Sequence, residues 1–174
     1  MTKPSLEIYT FGRFVIKNFQ ENLITEKSRV GKRWKLFQYL LNNSGRAVSR
    51  EKLIMVLDLE KNEDPQGALT ALIYRLRKLL KNVNKEKNTP PYIKTQGKAY
   101  TFNEKADYWF DAEVFQKKCQ KAKKLINQND INSIDVFQEA INLYQGDYLE
   151  EMKTDEWIWS SRSYYRNLLV ETML

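Results

Sequence analysis

Read at 3.6 residues per turn, the segment from Asp64 to Val83 divides into two sides. Leu69, Leu72, Ile73, Leu76 and Leu80 form one apolar stripe. The opposite side then carries Gln66, Gly67, Thr70, Ala71, Tyr74, Arg75, Lys78 and Lys81, with Arg77 at the flank. Small side chains come first, then an aromatic, then cations. That order lets a helix N-terminus sink into a major groove, where Arg and Lys reach guanine O6 and N7 or a phosphate. Arg77, off the centre of the face, suits a phosphate better than a base. Further along, Gln96-Gly97-Lys98 makes a narrow basic tip, fit for a minor-groove or phosphate contact. A basic amphipathic helix solvated on one face is the plain alternative. The coincidence of charge, helix and tip in one segment favours a polyanion-binding face.

Other chemistry is poorly provided for. Among 174 residues there is no histidine and one cysteine, Cys119. Ser-His-Asp and Cys-His nucleophiles, a histidine base and zinc fingers all need residues the chain lacks. An internal disulfide is likewise impossible, which fits a reducing compartment, and Cys119 falls on an apolar stripe where core packing explains it. Gly31-Lys32 has no second glycine at phosphate-loop spacing, so nucleotide binding has no support. Asp147, Glu150, Glu151, Asp155 and Glu156 could suggest an acid-base pair or a metal, but a solvated loop and a helix N-terminus account for them. No metal or cofactor is expected, and no enzymatic activity. No apolar run reaches the length of a membrane span, so a cytoplasmic protein without a membrane partner is expected.

The elements that must hold this face follow from pattern. Leu6, Ile8 and Thr10 alternate with Glu7 and Tyr9, and Gly12-Arg13 turns the chain into Phe14-Val15-Ile16-Lys17. A third strand around Leu23-Ile24 would complete a small antiparallel sheet. Val30, Trp34, Phe37 and Leu41 then mark a helix ended by Asn43-Ser44-Gly45. Ser49 reads as the N-cap of a short helix burying Leu53, Ile54 and Leu57, with Glu51 in its first turn. Asp64-Pro65 is an N-cap followed by proline at the first helical position, a start signal for the helix over about 65–83. Asn82 to Pro91 is a loop, and residues 92–102 read as strand, turn and strand.

Beyond residue 103 the pattern is helical throughout. Asp111 should cap a helix with Phe115, Cys119, Ala122 and Ile126 inward. Asp130 precedes a second helix, with Ile134, Phe137, Ile141 and Tyr144 inward and Gly146 closing it. Thr154, with Asp155 and Glu156, opens a third whose stripe is Trp157, Ser161, Tyr164 and Leu168. Trp159 lies off that stripe and is expected to pack on further helices. The last helix is still periodic at Leu174 and uncapped, which reads as a chain that continues. The charge agrees with a division near 103: residues 1–102 carry 20 basic and 9 acidic side chains, and residues 103–174 carry 9 basic and 13 acidic. The basic part attracts a polyanion and the acidic part does not.

Residues 6–103, through LEIYTFGRFVIKN, VSREKLIMVL, ALTALIYRLRKLL and YIKTQGKAYTF, resemble the OmpR-type winged-helix DNA-binding domain. Residues 107–174, through DAEVFQKKCQKA, AINLYQGDYLEEM and WIWSSRSYYRNLL, resemble the bacterial transcriptional activator domain that follows it in SARP/AfsR-type regulators. The resemblance implies an α+β winged helix-turn-helix with an N-terminal antiparallel sheet over residues 1–103. An all-α, tetratricopeptide-like domain over 104–174, incomplete here, would follow. It puts Arg75, Arg77 and Lys78 among the recognition-helix cations, and Lys98 and Tyr100 in the wing. Two positions depart from the family pattern: Asp58 stands where a Trp often ends the second helix, and Gly97-Lys98-Ala99-Tyr100 replaces Gly-x-Gly-Tyr.

The function expected is therefore sequence-specific binding of double-stranded DNA to regulate transcription, with the helix over 65–83 in the major groove and the 92–102 hairpin as wing. RNA polymerase and a second copy on DNA are partners that the resemblance implies. The competing class is an interaction scaffold whose basic domain holds nucleic acid without specificity.

Overall fold

The computed structural model describes residues 4–18, 31–83 and 90–173, with the side chains of residues 82 and 83 left aside. The expected strand at Leu23-Ile24, Val30, most of the 82–91 loop and Leu174 lie outside the described residues. Two compact units form, and the chain alternates between them: 4–18 groups with 108–173, and 31–83 with 90–107. The expected contiguous division at 103 differs from this grouping, and the opening hairpin is the reason.

In that hairpin, β1 (Glu7–Tyr9) pairs antiparallel with β2 (Val15–Lys17), in the register Ile8↔Ile16. The third strand of this sheet is β6 (Trp109–Phe110), which runs parallel to β1 with Ile8 opposite Phe110. Alternation buries Leu6, Ile8, Phe14 and Ile16 on one face. The next helix, α4 (Asp111–Asn127), begins at once, and Asp111 is its first residue rather than its cap. The buried Asp111 carboxylate accepts hydrogen bonds from Thr10 N (2.6 Å), Thr10 Oγ1 (2.7 Å), Phe11 N (2.9 Å) and Ala112 N (2.8 Å). One side chain thus ties the end of β1 to the start of α4.

Helix α4 packs on α5 (Ser133–Leu143) and on α6 (Trp159–Met173), the latter preceded by a 3₁₀ turn at Glu156–Ile158. Phe115, Cys119 and Ala122 of α4 are buried as expected, but Ile126 is exposed. On α5 the inward residues are Ser133, Val136 and Ala140; Ile134 is 67% exposed, and Phe137, Ile141 and Tyr144 are half-buried. Small side chains let the helices approach closely, so they take the contact positions that the larger residues were expected to fill. The helix closes at Tyr144, not Gly146. Gly146 instead meets Gly12: a Cβ on Gly146 would lie 2.9 Å from the Gly12 Cα, and Gly12 has φ +78°. Gly12 N donates to Asp147 O at 2.9 Å, and Leu149 N to Thr10 O at 2.7 Å. On α6 the buried residues are Leu168 and Thr172, preceded by Ile158, whereas Tyr164 and Trp159 are exposed. The stripe is therefore rotated from the expected one, because Tyr165 rather than Tyr164 joins the aromatic cluster of Phe11, Phe115, Tyr144 and Tyr148.

The second unit contains α1 (Lys32–Asn42), α2 (Arg50–Val56), α3 (Pro65–Val83) and a sheet of β3 (Val48–Ser49), β5 (Ala99–Phe102) and β4 (Ile93–Gln96), in that spatial order. Its core joins Trp34, Phe37, Leu40 and Leu41 of α1 to Leu53 and Leu57, to the Leu69-Ile73-Leu76-Leu80 stripe of α3, and to Phe102. Ser49 ends β3 and caps α2, its hydroxyl accepting from Lys52 N at 3.2 Å. After α2, Asp58 sits at φ +50°. Asp tolerates this left-handed turn far better than an aromatic does, which accounts for an aspartate at that departure from the family pattern. The Lys32 ammonium donates to its carbonyl at 2.8 Å.

Candidate nucleic-acid interface

Helix α3 starts where its caps predict. Asp64 Oδ1 accepts from Gly67 N at 2.9 Å, and Pro65 fills a position whose N–H would be orphaned anyway. Gly67 has a local reason to lack a side chain, since a Cβ there would meet Asp64 Oδ2 at 2.1 Å. Its apolar stripe turned inward, α3 leaves Gln66, Thr70, Tyr74, Arg75, Lys78 and Lys81 exposed, and Gly67 and Ala71 half-buried. Tyr74 is 65% exposed, unusual for a large aromatic in a small unit. Arg75, Lys78 and Lys81 form no ion pair or hydrogen bond among the described residues. Lys81 lies in the last turn, where the helix dipole favours a cation.

The hairpin of β4 and β5 is paired Ile93↔Phe102, Thr95↔Tyr100 and Gln96↔Ala99, leaving Gly97-Lys98 as a two-residue turn. Gly97 takes φ +60° with open space around it, so the lone glycine suffices for the turn and a second one at Ala99 is unnecessary. Gln96 and Lys98 are exposed at the tip. The Lys98 ammonium lies near Glu51, whose carboxyl is held below its ordinary value, first by its own backbone N–H, then by the Ser49 hydroxyl, and further by the lysine charge.

Two expected contact residues are placed differently from the rest. Tyr100 is 3% exposed. Arg77 is half-buried: its Nε donates to Ile93 O at 3.2 Å, and its Nη2 to Thr95 Oγ1 at 2.8 Å. The Arg77 guanidinium lies 5.8 Å from the Tyr100 ring centre, and that of Arg50 lies 5.5 Å from the same centre. Arg50 and Thr95 were missed in the sequence. The Thr95↔Tyr100 register, which follows from a two-residue turn, was the signal that could have found Thr95. Arg50 had only its place after a capping serine.

Three of the five carboxylates weighed for catalysis have other partners. Asp147 is paired with Arg166, Glu151 lies 3.9 Å from Arg13, and Asp155 accepts from Trp157 Nε1 at 3.3 Å. No helix among the described residues is long and apolar enough to cross a membrane.

The family described as "Transcriptional regulatory protein, C terminal" matches residues 26–102, and the "Bacterial transcriptional activator domain" matches residues 110–174. No curated protein matches the chain. Among solved structures, EmbR of Mycobacterium tuberculosis, determined with a low-affinity phosphopeptide, aligns over 98% of this chain with a TM-score of 0.78 at 13% identity. The alignment covers 44% of the EmbR chain, so this chain spans less than half of that relative. The DNA-binding domain of Escherichia coli CadC aligns over 59% of this chain and 94% of its own, with a TM-score of 0.43 at 24% identity. The two family matches, in this order and together covering most of the sequence, give the chain a winged-helix domain of the transcriptional regulatory protein C-terminal family followed by a helical bacterial transcriptional activator domain, and they bear out the expected likeness to SARP/AfsR-type transcriptional regulators.

Proposed function

We propose that the chain binds double-stranded DNA sequence-specifically, with α3 entering the major groove N-terminus first and the β4–β5 hairpin acting as the wing. The observation that carries this reading is the outward face of α3. Small residues occupy its first turns, and Arg75, Lys78 and Lys81 stand exposed and unpaired on it among the described residues. Gln66 and Thr70 are placed to meet base edges, Gly67 and Ala71 to allow close approach, Tyr74 to pack on sugar or a thymine methyl, and the cations to meet guanine or phosphate. Gln96 and Lys98 meet the backbone beside the groove. Arg77 and Tyr100 contribute from behind this surface.

The reading carries a cytoplasmic location, RNA polymerase as a second partner and a homodimer on the operator. The test is a fluorescence titration of a duplex selected from a random library against a scrambled duplex, across a salt series. If four to six phosphates are neutralised, log K against log salt falls with a slope of about −4 to −5. The selected duplex should bind at least tenfold tighter. A slope near zero removes DNA binding. A steep slope with equal affinity for both duplexes establishes the non-specific scaffold instead.

A further inference from the structure

The same position that suited a phosphate by sequence is, in the fold, engaged inside the protein. We infer that Arg77 is a positioning residue that locks the wing to the recognition helix, so that the two DNA-facing elements meet the duplex as one rigid body. This inference rests on the DNA-binding reading above.

Arg77 leaves α3 on the flank next to its apolar stripe, and its guanidinium crosses to the hairpin. Nε donates to the backbone carbonyl of Ile93 at the start of β4, and Nη2 to the hydroxyl of Thr95 two residues on. These acceptors lie on one strand two residues apart, so the pair fixes the direction of β4 as well as its distance. The rigid planar fork of a guanidinium holds both acceptors in one orientation, which the freely rotating donors of an ammonium do not. The guanidinium also lies over the ring of Tyr100, which pairs with Thr95 across the hairpin. Tyr100 is buried, and Arg50 at the start of α2 lies over the same ring while donating its backbone N–H to Lys98 O at 3.3 Å. Tyr100 is therefore a joint where α2, α3 and the wing meet, and Arg77 is the member that comes from the recognition helix. Strand β5 is also paired with β3 (Val48↔Tyr100, Ser49↔Ala99), whereas β4 is the outer strand of the sheet, and Arg77 ties that strand to α3. Without that tie the wing's outer strand must be ordered during binding, which weakens affinity without removing any phosphate contact.

Three variants test this: Arg77→Met, Arg77→Lys and Thr95→Val, with the Arg77→Met/Thr95→Val double variant. Amide exchange of the free protein is measured first, because it needs no DNA. Arg77→Met and Arg77→Lys should both speed exchange in β4 and β5 while leaving α1 unchanged. Affinity for a mixed-sequence duplex should then fall about tenfold in both, with the salt slope unchanged. Thr95→Val should cost less, and nothing further when added to Arg77→Met. The inference is overturned if Arg77→Lys binds as the parent does, if Arg77→Met lowers the salt slope by about one, or if wing exchange is unaffected. Were the parent protein itself to show no salt-dependent binding, the DNA reading would fail, while the exchange result would still decide whether Arg77 orders the wing.

Discussion

The two compact units treat their charged side chains in opposite ways. In the unit built on the opening hairpin and helices α4–α6, charges are matched internally. Lys118 pairs with Glu139, Lys123 with Glu171 at 2.7 Å, and Arg166 with Asp147. Arg162 donates to the carbonyls of Tyr148, Leu149 and Met152, and the Asp111 carboxylate is consumed by four donors. In the unit of α1–α3 and the wing, the cations of α3 at 75, 78 and 81 are left without such partners among the described residues. One unit pairs its cations across its helices, and the other, though Lys35 pairs with Asp58 at 3.7 Å, presents those on the outer face of α3. An exposed cation with no internal partner adds little to stability, so its reason must be sought outside the chain. Arg77 is the instructive exception: a cation of the presenting helix used in the manner of the other unit.

The contrast breaks most visibly at Asp111. Replacing it with Ala strands Thr10 N, Phe11 N and the Thr10 hydroxyl in a buried site, which should destabilise that unit by about 3 kcal/mol or more. Urea unfolding followed by the aromatic signal of the Phe11 cluster would measure the loss. Exchange of α3 amides should be unaltered, and equal loosening of both units would show that the division of labour is illusory. Asp111→Asn, which keeps an acceptor oxygen, should lose less.

On the presenting unit the expected pattern is reversed. Arg75→Ala and Lys78→Ala should leave unfolding nearly unchanged, within about 0.5 kcal/mol. Each should cost about 1–3 kcal/mol on the selected duplex and relax its sequence preference. Lys98→Ala should weaken selected and scrambled duplexes equally, since a lysine at the wing tip serves a phosphate. If Lys98→Ala alone relaxed preference, the wing rather than the helix would be the reader.

How much of this was legible in the sequence follows the same divide. The α3 stripe runs from Leu69 to Leu80, about three turns, behind a capping aspartate and a proline start, so period and punctuation agree. The hairpin was legible from Gly97 and the alternation around it. The opening hairpin's true partner was not, because β6 has two residues and pairs with β1 across a hundred intervening positions. Local pattern carries no trace of such a pairing. Ile134 and Tyr164 were expected inside because they are large and apolar, yet the α4–α5 contact admits small residues and α6 turns on Tyr165. Periodicity fixes that a face exists and leaves its rotation open by a residue or so. Gly146 suits a helix stop by type, yet it lies in close approach to Gly12, and Tyr100, expected at the wing surface, is buried. In each case residue type was informative, and the neighbour that explains it was far away in the chain.

The smallest expected effect concerns the sign of a pH dependence. Hydrogen bonds from the Arg166 guanidinium, more than its charge at a distance, hold Asp147 below the ordinary carboxylate value, and Tyr144 donates to the same oxygen at 3.2 Å. A carboxyl depressed in the folded state contributes stability above its unfolded value and loses it as pH falls through the folded one. Asp111 has the opposite sign: burial raises its value against the pull of its four donors, so its contribution is fully present at low pH and fades as pH rises through the folded value. Acid unfolding of this unit therefore sums opposed contributions, with Glu139, depressed by its hydrogen bond from Lys118, on the side of Asp147. Arg166→Gln removes one of them and leaves Asp111 untouched. The variant should match the parent at low pH, where Asp147 is protonated in both. It should fall behind as pH rises past the acidic range, by a small amount because the pair is partly exposed. Melting temperatures of both proteins across an acid-to-neutral series would read this difference. A constant offset at every pH would mean that Arg166 acts through packing, and that the pairing of charge which separates the two units does not extend to this one.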